Sequence, residues 1–392
     1  MSTVSHKASA EPDASRLKVL TVFGTRPEAI KMAPVVNALA SQPALFKSVV
    51  CVTAQHREML DQVLNLFHIT PNYDLNLMKP NQDLFQITSN VLLGMKEILE
   101  KETPDIVLVH GDTTTTMATS LAAFYKQVPI AHVEAGLRTW DKYYPFPEEI
   151  NRVVTDSIAA LYFAPTEGAR QNLLKTGVAD HQIFMTGNTV IDALMYTLQK
   201  SSNHSQAQAA FQPRPGNRLI LVTVHRRENF GEPMRDICRA FQHLVSLHPD
   251  IDIVIPVHPN PNVKTIVYDM LGGIDRIHLI EPLDYEPFCH LMARADIILT
   301  DSGGIQEEAP SLSKPVLVLR DETERPEAVE MGAVKLIGPH YEKIVAETSR
   351  LLTDDMAYKA MAQSVNPYGD GLACERILNA LRQFHQNPAQ FR

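Results

Sequence analysis

Two carboxylates stand directly after two neighbouring apolar runs of the chain. Asp112 follows Ile106–Val109 within the sequence His110-Gly-Asp-Thr, and Glu134 follows Pro129–Val133. Short apolar runs that end in glycine and polar residues, with helical patterns between them, are typical of parallel strands in an open α/β sheet. Ligands of such sheets bind outside the carboxyl ends of the strands. We therefore expect Asp112 and Glu134 to line one crevice, where paired carboxylates can act as general acid and base.

A segment with two cations follows the first predicted strand, Leu17–Phe23. Gly24-Thr-Arg-Pro leads into a predicted helix that contains Lys31. Arg26 opposes the preference of a helix start for negative charge, which indicates an anionic ligand, although a solvated surface arginine explains it equally well. The chain has neither a G-x-G-x-x-G fingerprint nor a P-loop, so no bound NAD or other cofactor is expected. A third polar segment, 144–149, is bounded by prolines and precedes a predicted helix.

A glycine pair in the second half is a candidate phosphate site. The predicted strand Ile297–Thr300 leads into Ser302, Gly303 and Gly304, whose backbone N–H groups can approach a phosphate at a helix start. Glu308, about one turn further on, has the spacing to accept hydrogen bonds from sugar hydroxyls. The alternative is a tight turn in which Ser302 caps the helix.

Three potential cations follow another predicted strand, Arg218–Val224. They are His225, Arg226 and Arg227, and such a set suits a diphosphate. The pair Asp250-Ile-Asp252 matches a metal-binding D-x-D pattern, but it precedes a strand instead of following one, which favours a solvated turn. No histidine and cysteine cluster has metal-ligand spacing, so no metal site is expected.

The apolar pattern predicts two α/β domains, each built on a doubly wound parallel sheet. The first domain spans residues 17–198 and the second spans 218–373, with a Ser-, Gln- and Pro-rich linker at 199–217. Residues 1–16 are expected to be a flexible tail. The amphipathic end, 374–392, is expected to pack back on the first domain. Two such Rossmann-like domains would face a cleft, which is the default ligand site.

The composition narrows the class of protein further. The chain has 392 residues, of which 45% are hydrophobic and 21% charged, as in soluble globular proteins. A formal charge of −9 argues against a nucleic-acid binder, which is usually basic. No apolar run approaches the ~18 residues that span a membrane. The four scattered cysteines fit reduced thiols, so we expect a cytoplasmic protein.

Several motifs taken together carry a family resemblance. They are Gly24-Thr-Arg-Pro-Glu, Thr53-Ala-Gln-His-Arg-Glu-Met, His110-Gly-Asp-Thr-Thr-Thr, His132-Val-Glu-Ala-Gly-Leu-Arg, Pro147-Glu-Glu-x-Asn-Arg, His225-Arg-Arg-Glu and Asp301-Ser-Gly-Gly-Ile-Gln-Glu-Glu-Ala. This set resembles the bacterial UDP-N-acetylglucosamine 2-epimerases of the non-hydrolysing type. The resemblance implies the two-domain glycosyltransferase-B fold, a homodimer, and interconversion of UDP-N-acetylglucosamine and UDP-N-acetylmannosamine for cell-surface polysaccharide synthesis.

The resemblance also implies roles for residues at matching positions of the first domain. Asp112, Glu134 and Glu148 would be the acid and base carboxylates. Arg26 and Lys31 would lie near the nucleotide or its phosphates. Some family members bind a second UDP-N-acetylglucosamine as an allosteric activator, and the positions that match this contact are Gln55, Arg57 and Glu148.

In the second domain, the resemblance implies residues that bind UDP. His225 would stabilise the departing diphosphate, and Phe288 would contact the uracil. Ser302 and Gly303, with Gly304 beside them, would hold phosphate. Glu308 would bind the ribose.

The C2 hydrogen of the sugar is not next to a ring carbonyl, so its direct removal is too costly. Elimination of UDP to 2-acetamidoglucal, followed by re-addition from the other face, avoids this difficulty and needs no NAD. Other functions stay open on the residues alone: a UDP-sugar glycosyltransferase of the same fold, a hydrolysing epimerase, or a non-catalytic UDP-sugar sensor.

Overall fold

The computed structural model describes residues 16–53, 57–77, 82–200 and 211–391. These residues group into two compact units. The first contains the described residues up to Met185 together with those from Glu375 onward, and the second runs from Thr186 to Cys374. None of the helices in the described ranges is both long and apolar enough to cross a membrane.

The first unit is built on a sheet of parallel strands. In chain order they are β1 (Leu17–Phe23), β2 (Phe46–Val52), β3 (Tyr73–Asp74), β4 (Ile106–His110), β5 (Ile130–Val133), β6 (Leu161–Ala164) and β7 (Ile183–Met185). Their order in the sheet is β3-β2-β1-β4-β5-β6-β7, so the chain winds outward from β1 in both directions. The helices of this unit are α1 (Arg26–Ala40), α2 (Arg57–Leu66), α3 (Leu84–Glu102), α4 (Thr114–Tyr125), α5 (Glu148–Ile158) and α6 (Glu167–Lys175).

The second unit repeats this arrangement. Its strands are β8 (Arg218–Thr223), β9 (Ile251–Pro256), β10 (Ile277–Ile280), β11 (Ile297–Thr300), β12 (Val316–Val318) and β13 (Val334–Leu336). They are parallel, in the order β10-β9-β8-β11-β12-β13. The helices are α7 (Thr189–Lys200), α8 (Glu232–Leu247), α9 (Pro261–Leu271), α10 (Tyr285–Arg294), α11 (Gly303–Glu308), α12 (Pro326–Glu330), α13 (Tyr341–Thr353), α14 (Asp355–Ala362) and α15 (Ala373–Gln386), whose last twelve residues group with the first unit.

The predicted fold class, α/β with two doubly wound parallel sheets, is confirmed. The central strands are continuous apolar runs because helices cover both faces of a parallel sheet. β1 and β11 have the predicted limits. β6 and β7 were not predicted, because such short strands show no alternation of apolar and polar residues.

The division between the units differs from the expected boundary at 198. α7 belongs to the second unit, because Leu194 packs into the same buried core as Leu219 and Leu221. Most of the expected linker, 201–210, and the expected tail, 1–15, lie outside the described residues.

A buried glutamate joins the starts of two helices in the first unit. The Glu28 carboxylate accepts hydrogen bonds from the backbone N–H groups of Gly24 (3.0 Å) and Thr25 (2.7 Å) at the start of α1. Its other oxygen accepts from the hydroxyls of Thr113 (2.6 Å) and Thr116 (3.2 Å) at the start of α4. Glu28 therefore fixes the turn after β1 relative to the turn after β4.

Candidate functional site

Glu134 lies just past the carboxyl end of β5, where the side chains of Lys31 and His110 contact its carboxylate. It follows β5, with its backbone in the left-handed region at φ +64°. Its Oε1 lies 2.5 Å from the Lys31 ammonium, and its Oε2 lies 3.1 Å from Nε2 of His110 at the end of β4. Burial raises the pKa of Glu134, but Lys31 and His110 outweigh burial and hold it well below its ordinary value. Glu134 is therefore ionised, and a proton acceptor at rest.

The pKa of Asp112 is shifted in the opposite direction, above its ordinary value. It follows β4, its side chain is 32% exposed, and its Oδ2 pairs with Nη2 of Arg152 at 2.9 Å. Burial is the main cause that raises the pKa of Asp112, and the negative charges of Glu134 and Glu148 raise it further, against Arg152. These effects push the pKa values of Asp112 and Glu134 apart, a pattern that marks acid and base partners.

The beginning of α5 supplies the third predicted carboxylate and the residues that support Asp112. Glu148 is the first residue of this helix, half-buried. Asn151 donates a hydrogen bond to the Asp112 backbone carbonyl at 2.9 Å, and Arg152 pairs with the Asp112 side chain. The neighbouring Glu149 is buried and accepts from the backbone N–H groups after Arg138. Of the adjacent glutamates, Glu148 is thus the one near Asp112, and Glu149 holds a loop.

The turn after Glu134 requires glycine. Gly136 has φ +87°, and a Cβ there would lie 2.3 Å from the carbonyl oxygen of Ala169. We expect Gly136→Ala to lower the free energy of unfolding of the first unit by about 2–4 kcal/mol, because backbone strain and overpacking add. Urea unfolding measures this loss. Gly177→Ala is the matched control, since Gly177 has φ +91° with no atom within 4 Å, and should cost only about 1 kcal/mol. Equal losses would contradict the steric argument.

In the second unit, one buried carboxylate organises the loop that carries the predicted cations. Asp301 follows β11, and its Oδ2 accepts hydrogen bonds from the backbone N–H groups of His225 (2.9 Å) and Arg226 (2.8 Å). The side-chain amide of Asn229 donates to the same oxygen at 2.9 Å. Because β8 and β11 are neighbours, their carboxyl ends bring His225 and Ser302 to one edge of the sheet.

His225 lies between an acid and another imidazole. Its Nδ1 is 3.4 Å from Asp301 Oδ1, and its ring stacks on His258 with centroids 5.4 Å apart. Burial lowers the pKa of His225; Asp301 raises it, while His258 and Arg226 lower it. The net lowering makes a neutral ring more stable in the absence of an anion. A bound diphosphate would reverse this balance, since negative charge favours the imidazolium.

Two arginines lie beside the glycine pair. A Cβ at Gly303 would be 3.7 Å from Nη2 of Arg226 and 3.9 Å from Nη2 of Arg325. Arg325 is oriented by Glu307, whose Oε1 lies 2.5 Å from its Nε. Sequence reasoning missed Arg325, because its loop shows no motif of its own. Guanidinium groups in such a pair can bind phosphate oxygens bidentately.

The residues predicted to bind ribose and uracil lie close together on adjacent helices. Glu308, at the end of α11, accepts a hydrogen bond from the Tyr285 hydroxyl at 3.0 Å. Phe288 lies on α10, one turn after Tyr285, and is partly buried against the core of the second unit. Tyr285 was not predicted. Burial and then Glu308 raise the pKa of Tyr285 well above its ordinary value, so the phenol stays a donor.

Four further predicted positions of the first unit remain to be placed. Arg26 is exposed at the first residue of α1. Lys31, expected near phosphate, pairs with Glu134. Gln55 lies outside the described residues, and Arg57 begins α2, so their allosteric contacts remain predictions.

The interpretation of Asp252 as a solvated residue was wrong. Asp252 is fully buried within β9 and accepts hydrogen bonds from Asn217 and from the backbone of Arg214. Its partner His278 lies 2.8 Å away. Across the part of the chain that the structure describes, no group of three or more His, Cys, Asp or Glu side chains could hold a metal ion.

Comparisons with known proteins show the family of this chain. A family model described as UDP-N-acetylglucosamine 2-epimerase matches residues 37–382. The UDP-N-acetylglucosamine 2-epimerase of Escherichia coli (strain K12) is 59% identical over 371 residues, covering 93% of this chain and 98% of that protein.

Two solved structures are similar over nearly their whole length. The Neisseria meningitidis UDP-GlcNAc 2-epimerase, bound to UDP-GlcNAc, has a TM-score of 0.84 and 51% identity, covering 94% of this chain and 100% of that one. The Methanocaldococcus jannaschii enzyme of the same name has a TM-score of 0.82 and 34% identity, with the same coverage. The resemblance seen in the motifs is confirmed, and the chain belongs to the UDP-N-acetylglucosamine 2-epimerase family.

Proposed function

We propose that this protein interconverts UDP-N-acetylglucosamine and UDP-N-acetylmannosamine by eliminating UDP to 2-acetamidoglucal and adding it back. The observation that carries the proposal is the pair Glu134 and Asp112, whose environments push their pKa values in opposite directions. Inversion at C2 needs one group that accepts a proton and one that donates a proton from the other face. The raised pKa of Asp112 favours its protonated form, and the lowered pKa of Glu134 favours its ionised form, which suits these two roles.

The protons and electrons balance through these two residues. In one direction, Glu134 accepts the C2 proton while the C1–O bond breaks and its electron pair goes to the diphosphate oxygen. Asp112 then gives its proton to C2 from the opposite face, and the diphosphate oxygen bonds to C1 again. Exchange with solvent returns both carboxyl groups to their resting states. Glu148 raises the pKa of Asp112 and so favours its protonated form.

The second unit supplies groups suited to the departing UDP. Arg226 and Arg325 lie beside Gly303, and His225 gains a proton most readily when an anion is bound. Stabilisation of charge that develops on the leaving oxygen is the largest catalytic effect in many enzymes. Glu308 and Phe288 would bind the ribose and the uracil. The hydrogen bond from Tyr285, on the helix that carries Phe288, to Glu308 supports this.

The decisive experiment is incubation with UDP-N-acetylglucosamine in D₂O, followed by proton NMR. We expect UDP-N-acetylmannosamine that carries deuterium at C2, without added NAD or metal. Free N-acetylmannosamine would instead show the hydrolysing reaction. Binding without exchange at C2 would contradict the proposal and favour a transferase or a sensor.

The acid role of Asp112 predicts a pH effect. Arg152 lowers the pKa of Asp112, so Arg152→Met should raise it. Because Asp112 must be protonated to donate, the basic limb of the kcat/KM profile should move to higher pH. Steady-state rates across pH measure this shift. Arg170→Met, which removes a surface arginine paired with Glu167, is the control and should leave the limb in place. An unmoved or acid-shifted limb in Arg152→Met would exclude Asp112 as the donor.

The remaining parts of the proposal follow from family membership. The protein acts as a homodimer in the cytoplasm and supplies UDP-N-acetylmannosamine for cell-surface polysaccharide. A second UDP-N-acetylglucosamine, contacted by Gln55, Arg57 and Glu148, activates it. A sigmoidal dependence of rate on substrate concentration would support the activator site, and a hyperbolic dependence would contradict it.

A further inference from the structure

A charged cluster lies buried next to the carboxylates of the first unit, and the proposed reaction does not use it directly. Its members are His132 on β5, Arg138 after β5, and Asp156 near the end of α5. The exposed fractions of these side chains are 0%, 2% and 2%. Burying charged groups is costly, and an apolar cluster of similar volume is often as stable. The cluster therefore calls for an explanation other than stability.

The hydrogen bonds of His132 fix its protonation. Its Nδ1 lies 2.6 Å from Asp156 Oδ1, and its Nε2 lies 2.7 Å from the carbonyl oxygen of Gly111. A carbonyl oxygen only accepts, so Nε2 must carry a proton. Asp156 also accepts at its other oxygen, from Arg138 at 2.7 Å and from the backbone N–H of Gly136 at 3.3 Å. An acid with these donors is ionised, so Nδ1 carries a proton as well.

The lowered pKa of Asp156 agrees with an ionised carboxylate at this position. Burial raises it, but His132 and Arg138 more than compensate and lower it below the ordinary value. The Tyr162 hydroxyl, on the neighbouring strand, donates to the Asp156 backbone carbonyl and leaves the carboxylate to the two cations. His132 is thus an imidazolium within the protein interior.

We propose that His132 and Asp156 are positioning residues that hold the three carboxylate-bearing segments in register. His132 binds the carbonyl of Gly111, the residue before Asp112. Asp156 binds the turn that follows Glu134, and it lies on α5, which begins at Glu148. This inference rests on the proposed function of those carboxylates.

The backbone conformation of these segments shows why they need support from the cluster. Gly111 and Glu134 have φ angles of +66° and +64°, in the left-handed region. A non-glycine residue such as Glu134 adopts this conformation at an energetic cost and keeps it only when its surroundings hold it. The cluster forms hydrogen bonds to both strained segments: at Gly111 itself, and at Gly136, two residues after Glu134. A displacement of about 1 Å at reacting groups can reduce a rate by about 10²-fold.

The first test reads the protonation of His132 in the full-length protein. In ¹⁵N-histidine NMR, the signal that disappears in His132→Gln belongs to this residue. At neutral pH we expect both ring nitrogens to carry protons, because Nδ1 faces the Asp156 carboxylate and Nε2 faces the Gly111 carbonyl. A ring with a single proton there would overturn the proposal, and this holds whether or not the protein proves to be an epimerase.

The second test separates positioning from stability. In Asp156→Asn, His132 and Arg138 lose the carboxylate that orients them, so the cluster holds the turn after Glu134 less firmly. At a temperature where the variant is folded, we expect kcat to fall about 10- to 100-fold with KM for the UDP-sugar nearly unchanged. Asp252→Asn is the control, since it disrupts the buried Asp252–His278 pair of the second unit and should keep kcat. Wild-type kcat in folded Asp156→Asn would overturn the positioning role, while an inactive wild type would refute the proposed function.

Discussion

Glu134→Gln is expected to lower the turnover of UDP-N-acetylglucosamine by about 10³-fold, within the range that general acid–base groups contribute. The amide keeps the size of the side chain but cannot take the C2 proton. Lys31 and His110 then lose the charged carboxylate with which they pair. Rates of UDP-N-acetylmannosamine formation and of deuterium entry at C2 should fall together, because both depend on the same proton transfer.

The control for this variant is Glu102→Gln. Glu102 is also a carboxylate of the first unit that pairs with a lysine, Lys18, at 3.6 Å. It accepts from the Tyr73 hydroxyl and lies just before β4 begins, so it is away from the carboxyl ends of β4 and β5. We expect near wild-type turnover in this variant. UDP binding, measured by calorimetry, should survive both substitutions, and wild-type turnover in Glu134→Gln would remove this residue from the mechanism.

Asp301→Ala is expected to have the second-largest effect, on the stability of the second unit and on UDP binding. The substitution leaves the N–H groups of His225 and Arg226 and the amide of Asn229 without their acceptor. Removing a buried charged acceptor costs about 3–5 kcal/mol, so the unfolding midpoint should fall clearly. The loop then loosens, and UDP affinity should drop by at least about tenfold, which corresponds to about 1.4 kcal/mol.

Two comparison variants distinguish loss of the Asp301 hydrogen bonds from general unfolding. Asp301→Asn keeps an oxygen for the three donors and should lose only about 1 kcal/mol of stability. Asp296→Ala, at the opposite end of β11, removes a carboxylate that accepts one backbone N–H, from Leu219 at 2.7 Å. That variant should keep its affinity for UDP. A similar loss of UDP affinity in Asp296→Ala would show that the effect is general unfolding.

The sequence was sufficient for the parts of the fold that depend on local patterns. β1 and β11 are apolar runs with clear polar ends, and their limits were predicted correctly. The same logic placed Asp112 and Glu134 at adjacent strand ends, because β4 and β5 pair in register. A boundary near 198 was predicted because composition changes there, whereas contacts divide the chain after Met185.

The partners of the predicted residues could not be derived in this way. Lys31 reaches Glu134 from a distance of 103 residues along the chain, and Arg325 reaches Gly303 from a loop without a motif. Asp252 looked like a solvated turn residue, although it is buried in β9. Such contacts depend on tertiary packing, which a pattern of apolar and polar residues does not encode.

The Glu28 carboxylate orders two turns of this site at the moment the chain folds. Its four hydrogen bonds fix the turn before Lys31 and the turn after Asp112 to each other. Backbone and side-chain freedom at these turns is therefore lost when the chain folds, and not again at each encounter with a ligand. Loosening Glu28, which is none of the proposed acid or base groups, should thus add an entropic cost to catalysis. Because an entropic cost scales the rate by a factor that does not depend on temperature, such a variant should be slower by a similar factor at every temperature at which it stays folded.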